Sequence, residues 1–250
     1  MTRKMRKLSM YTVMALLCAA TVFYLVFAAV SYERTTSRSV ESLVLQNMQE
    51  HACSQARQLD LLLGGKVRHL QSAAEDLVPL SQDRLTAAAI LESLADNLEL
   101  SWLCCTDAAG NALARAGQAR EAACEAGLQA AQAQGGGLLL IEGEMVAYAA
   151  LPGAQGALVG GVDILALSES ILSTSEAACM LAADGTVLAA AEGNELFDSV
   201  GVNLLDSYDM ASFADKIAQG QGTARRVFTV DGEECYASSA PLASCGDVHV

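Results

Sequence analysis

The sequence predicts an α+β protein in which a long helical N-terminal region precedes two tandem antiparallel-sheet domains. Three observations carry that reading. Residues 8–32 are apolar and uncharged, and residues 33–78 keep a helical spacing of apolar positions. Between Leu100 and Val250, an order of two strands, a helix and three strands occurs twice.

Composition narrows the class. The 250 residues are 52% hydrophobic and 5% aromatic, which excludes a disordered chain and allows one large or two small domains. Lys+Arg number 15 against 29 Asp+Glu, a formal net charge of -14. That balance excludes nucleic acid as a natural partner, because phosphate binding needs a basic face. The charge is also uneven. Arg3, Lys4, Arg6 and Lys7 form a basic tip at 1–7, and every acidic residue lies beyond Tyr32.

Between the two lie 25 uncharged residues, Leu8–Tyr32. About 20 helical residues cross a hydrocarbon core of about 30 Å, so this stretch is expected to be a transmembrane helix in a lipid bilayer. The basic tip puts the N-terminus inside and residues 33–250 outside. A cleaved leader is the rival, but its apolar core would be shorter, about 7–15 residues.

Residues 33–80 are expected to form a long stalk. Val40, Leu43, Val44, Met48, Ala52, Leu59, Leu62, Leu63, Val67, Leu70, Ala74 and Leu77 recur at spacings of three and four. Gly64-Gly65 is a candidate kink and Pro79 a stop. Such a length predicts that the stalk runs along a domain or pairs with its copy in a homodimer.

A second helix is expected over 83–98, then strands at Leu100–Cys105 and Asn111–Ala116 joined by Asp107-Ala-Ala-Gly110. A helix over 119–134 is closed by Gly135-Gly136-Gly137. Strands 138–142, 145–151 and 157–164 and a short helix over 165–175 follow. The order then recurs: strands 178–182 and 186–190, loop and helix over 195–219, strands 223–229, 234–240 and from 247 onward. Gly110, Leu113 and Ala114 align with Gly185, Leu188 and Ala189, and Tyr148 and Pro152 with Tyr236 and Pro241. The domains therefore divide as 81–175 and 176–250.

Read together, the chain resembles a double-Cache sensor, with two PAS-like domains outside a membrane on a long N-terminal helix. The residues that carry the resemblance are Gly160-Gly-Val-Asp-Ile164, Ala182-Ala-Asp-Gly-Thr-Val-Leu188, Val200-Gly-Val-Asn-Leu-Leu-Asp206 and Val230-Asp-Gly-Glu-Glu-Cys-Tyr236 with Ala240-Pro-Leu242. The resemblance implies a bacterial membrane receptor whose membrane-distal module, 81–175, binds a small molecule and whose membrane-proximal module is 176–250. It also implies a cytoplasmic output: a GGDEF diguanylate cyclase or a histidine kinase, ahead of a chemotaxis receptor. Gly246–Val250 stops in mid-strand, so the chain reads as a fragment of such a receptor.

Four residues are candidates for the ligand site: Trp102, Arg115, Tyr148 and Asp163. Trp102 and Tyr148 offer rings, with core packing as the alternative for Trp102. Arg115, and beside it Arg120, suits a carboxylate, with plain solvent exposure as its alternative. In amino-acid-binding relatives an Asp at the place of Asp163 takes the ligand's amino group, but the Arg-x-Trp-Tyr part of that signature is missing here. No catalytic residue, metal or cofactor is expected. GxSxG, HExxH and phosphate-loop motifs are absent, and His51, His69 and His249 are scattered. Cys235 and Cys245 sit on neighbouring strand-like runs and are a possible disulfide, whereas Cys104 and Cys105 point to opposite faces. The rival function is a membrane-anchored structural or adhesion protein whose modules are filled scaffolding.

Overall fold

The computed structural model describes residues 3–77, 84–154, 156–172, 178–191, 200–207, 210–219, 225–230 and 233–250. The chain divides into two compact units, Met1–Asn47 and Met48–Val250. Helix α1 is continuous from Arg3 to Leu77.

In the first unit, Leu16, Leu17, Phe23, Tyr24, Leu25 and Phe27 are all exposed. Among the described residues no helix is long and apolar enough to cross a membrane. The transmembrane helix expected at 8–32 is therefore not supported by the described residues. The side chains of 3–13, Ala15 and Cys18 lie outside them, which leaves 19–32 as the contiguous apolar part, and charges begin at Glu33.

In the second unit, α1 presents Ala52, Ala56, Leu59, Leu63, Leu70 and Ala74 to the core. These sit four, three, four, seven and four apart, a single stripe along the helix. The helix runs unbroken through Gly64 and Gly65, where the sequence raised a kink. Two glycines cost about 1 kcal/mol each in a helix, and the buried leucines on both sides hold the backbone in place. Pro79 lies outside the described residues.

Helix α2, Arg84–Leu98, buries Leu91, Ala95 and Leu98. It ends at Glu99, a non-glycine residue with φ of 50°. Lys66 from α1 reaches over this end, donating to the Leu98 carbonyl at 2.5 Å and the Glu99 carboxylate at 3.0 Å. A cation on the unpaired carbonyls of a helix C-terminus is favourable.

Strands β1 (Leu100–Asp107), β2 (Ala112–Ala116), β3 (Gly136–Ile141), β4 (Glu144–Ala150) and β5 (Gly156–Val162) form an antiparallel sheet in the order β2-β1-β5-β4-β3. Helix α3, Glu121–Gln134, crosses one face and α1 and α2 cover the other. The Gly160-Gly161 pair is required by cross-strand packing. A Cβ at Gly161 would lie 2.2 Å from the Trp102 indole nitrogen, and one at Gly160 would meet Leu100 and Leu103. Helix α4, Ile164–Leu172, follows β5.

A second sheet contains β6 (Cys179–Ala182), β7 (Val187–Ala190) and β10 (Val248–His249), in the order β10-β6-β7. Strands β8 (Arg225–Val230) and β9 (Glu233–Ser238) pair separately. Just past β9, Pro241 bridges His249, and Ala240 and Val250 exchange backbone hydrogen bonds of 2.8 and 2.9 Å. Helix α5, Ala211–Ala218, packs Phe213, Ala214 and Ile217 on Cys179, Leu181 and Val187. The opposite side chains, including Met180, Leu188 and Val248, share one core with the stripe of α1. The helix is fastened there by Asp60, whose carboxylate accepts from the Ala243 and Ser244 backbone nitrogens, both at 2.9 Å, and from the Ser244 hydroxyl at 2.5 Å. No disulfide joins Cys235 to Cys245. Residues 231 and 232, between β8 and β9, lie outside the described residues.

Candidate functional site

The α3 face of the five-stranded sheet holds most of the chemistry predicted from sequence. Trp102 on β1 is 3% exposed, and its indole N–H donates to Glu144 Oε1 at 2.5 Å. A buried indole needs such an acceptor. Glu144 opens β4 because the preceding turn is Glu142-Gly143, both with positive φ, as a tight two-residue hairpin requires. Its second oxygen lies 3.7 Å from Arg120 Nε. The sequence reading ended one strand at 142 and began the next at 145, which left Glu144 between strands and missed this role. The signal for it was a lone tryptophan that had to find a partner.

Tyr148 is 2% exposed, and its hydroxyl donates to Gln134 Oε1 at 2.8 Å, at the end of α3. Burial raises its pKa, with a smaller contribution from Cys245. A Cβ at Gly137 would fall 2.8 Å from that hydroxyl. Gly136 and Gly137 therefore belong to β3, and Gly135 alone, at φ of 82°, closes α3.

Arg115 is exposed on β2, in register opposite Cys104. It lines a cleft of about 310 Å³ with Thr106, Cys124, Leu128, Gln129 and Gln132, between the β1–β2 hairpin and α3. Asp163 is also exposed. Its Oδ1 accepts from the Ala166 amide at 3.1 Å, and its carbonyl accepts from Leu167, so it caps the start of α4. The fold thus gathers Trp102 and Tyr148 in one core and puts Arg115 at its edge. It places Asp163 in the first turn of a helix.

The same core contains Cys104, fully buried, and Cys124 of α3, 6% exposed. The Cys124 thiol donates to the Cys104 sulfur. That bond, aided by the charge and hydrogen bond of Arg115, outweighs burial and pulls Cys104 down to about 7. Cys124, as the donor, is pushed far up. Cys105, on the other face, is pushed up to about 11 by burial. This pair was not foreseen, although Cys124 shares the inward stripe of α3 with Leu128 and Ala131.

Helix α3 lies hard on the sheet. A Cβ at Gly127 would come within 2.4 Å of Val159, so the space between helix and strands is filled and the cleft lies at its margin. Among the described residues no group of three or more His, Cys, Asp or Glu is placed to hold a metal.

No protein-family model matches the chain, and no curated protein matches its sequence. Solved structures do share its fold. The extracellular domain of a protein described as a histidine kinase, rpHK1S-Z16, is 16% identical with a TM-score of 0.62, over 83% of this chain and 93% of its own. The ligand-binding domain of the Pseudomonas fluorescens chemoreceptor CtaA, in complex with L-leucine, is 17% identical with a TM-score of 0.59, over 85% and 94%. That of the Campylobacter jejuni chemoreceptor Tlp3, in complex with 4-methylisoleucine, is 9% identical with a TM-score of 0.61, over 84% and 90%. The fold is that of extracellular sensory domains.

Proposed function

We propose that the chain is the extracytoplasmic, small-molecule-sensing input region of a membrane signal-transduction receptor, built as a double-Cache protein. The observation that carries this is the extent of the likeness. It spans more than four-fifths of this chain and more than nine-tenths of an extracellular histidine-kinase domain and of a chemoreceptor ligand-binding domain. The tandem reading is supported by strand order. Strands β7, β6, β10, the 240–242 continuation of β9, and β8 follow the sequence of β2, β1, β5, β4 and β3.

The reading includes a membrane anchor at 8–32, supported by its 25 uncharged residues after four basic ones. It includes a homodimer through the stalk, supported by exposed Leu61 and Leu62. The output is a diguanylate cyclase or a histidine kinase.

The ligand site proposed is the α3 side of the distal module. Arg115 binds a carboxylate in the marginal cleft. Trp102 and Tyr148 join the site when α3 lifts and their bonds to Glu144 and Gln134 open. Asp163 then links the change to α4, whose first turn it caps. Ligand selects the lifted state, and the stalk carries the difference towards the membrane. Amino acids head the candidate ligands, since CtaA and Tlp3 bind them.

The tight contact of Gly127 with Val159 favours a second reading, in which the modules are filled scaffolds of an anchored structural or adhesion protein. Thermal unfolding of the full chain in detergent separates the two. Amino acids, amines, short carboxylates and purines are screened. A compound at a hundred times its Kd adds about 2.7 kcal/mol, and Arg115→Ala abolishes that shift. A screen in which no compound shifts the transition supports the scaffold.

A further inference from the structure

Among the described cysteines, two stand apart by geometry. Cys104 comes from the middle of β1 and Cys124 from the first turn of α3, twenty residues later, yet both lie in one buried cluster, where their thiols interact. Neither is in a disulfide. Cys124 lines the marginal cleft together with Arg115, and Arg115 sits directly across the ladder from Cys104. A cation beside one thiol, a second thiol donating to it and an opening to solvent are the conditions for a redox-active dithiol.

We infer that Cys104 and Cys124 are such a dithiol, which hydrogen peroxide entering the cleft converts to a disulfide bolting α3 to β1. The inference does not rest on the sensor reading, because its chemistry needs no ligand.

The steps balance. The Cys104 thiolate sulfur attacks one peroxide oxygen, the O–O bond breaks, and the departing hydroxide takes up the proton lost from Cys104 to become water. Cys104 is then a sulfenic acid. The Cys124 sulfur attacks that sulfur, the S–O bond breaks, and the leaving hydroxide carries away the Cys124 proton as a second water. Two thiols have lost two electrons, and one peroxide has become two waters. A small thiol reductant reverses the bond by exchange.

The arrangement favours this pair over other thiols. The Cys124 thiol and, less strongly, Arg115 bring Cys104 down to about 7, whereas burial pushes Cys105 next to it up to about 11. The other charged groups around the pair among the described residues are Glu144 from β4, which opposes the ionisation of Cys124, and Glu121 and Glu125 of α3, which line the cleft beside Arg115. The disulfide fixes α3 in the closed position described above, so oxidation and the lifting of α3 exclude one another.

The test uses the full chain, reduced, freed of reductant and titrated with hydrogen peroxide, then mapped by peptide mass spectrometry. The expected product is one linkage, between Cys104 and Cys124, formed at a rate that is half-maximal near pH 7 and reversed by a thiol reductant. Cys124→Ser should stop at a sulfenic acid on Cys104, trapped by dimedone. Arg115→Ala, at an exposed position that spares the fold, should slow the reaction below pH 7 by up to about tenfold for each unit by which the Cys104 pKa rises. The proposal fails if Cys53 or Cys105 is oxidised first, if the linkage joins other residues, or if Arg115→Ala reacts at the unaltered rate.

Discussion

Along β4, Met145, Ala147 and Ala149 turn towards the stalk, while Val146 and Tyr148 turn towards α3. The neighbouring strands divide in the same way. Leu103 and Leu158 join the first set, and Trp102, Cys104 and Val159 join the second. The stalk face is mainly aliphatic, with the Cys105 thiol half-buried against it. The α3 face carries an indole, a thiol and a phenol, and each meets a partner: Glu144, Cys124 and Gln134. Strand alternation thus lets one sheet do two jobs. One side is held by burial, which is strong and indifferent to orientation. The other is held by directional bonds, each modest in net strength and open to exchange for a ligand's groups.

This contrast can be broken first on the aliphatic side. Leu103→Ala or Leu63→Ala should cost about 2–5 kcal/mol by urea denaturation, with little change in where Trp102 emits. Trp102 is the sole tryptophan and reports on the α3 face alone. Gly127→Val should cost less, about 1–3 kcal/mol, but should shift the Trp102 emission to the red as α3 is levered off Val159. An emission shift with Leu63→Ala and none with Gly127→Val would erase the distinction between the faces.

A smaller effect concerns the second sheet, which has its own buried polar group in His249. Burial lowers its pKa below the ordinary 6.5. The unfolded chain therefore takes up a proton that the folded chain refuses, and stability is full above 6.5 and lost as pH falls through the lowered value. His249→Leu should flatten that part of the stability profile without altering Trp102 emission. The smallest expected effect is a gain. Glu142 has φ of 49° in its hairpin turn. Glu142→Asn should stabilise by about 0.4–1 kcal/mol, since asparagine tolerates that conformation.

The elements were legible because local signals were strong. Asp107-Ala-Ala-Gly110 is read as a turn, and its glycine has φ of 88°, with the Asp107 carboxylate accepting from Ala109 and Asn111. The matching Gly185 has φ of 87°. Long-range relations were not legible. The placing of β5 between β1 and β4 depends on Gly160 and Gly161 letting Leu100, Leu103 and Trp102 close in, a fit that no spacing rule encodes. Glu144 read as a turn residue because its partner lies 42 residues away. Asp163 read as a ligand candidate through the resemblance, and the fold gives it the amide of Ala166.

Asp60 binds the backbone of Ala243 and Ser244 from 183 and 184 residues away. During synthesis, α1 emerges well before the groups it must grip. Through that interval the stripe of Ala52, Ala56, Leu59 and Leu63 has part of its burial site missing. Closing so long a loop is slow relative to local helix and hairpin formation. The helix is therefore the first element to form and the last to be seated.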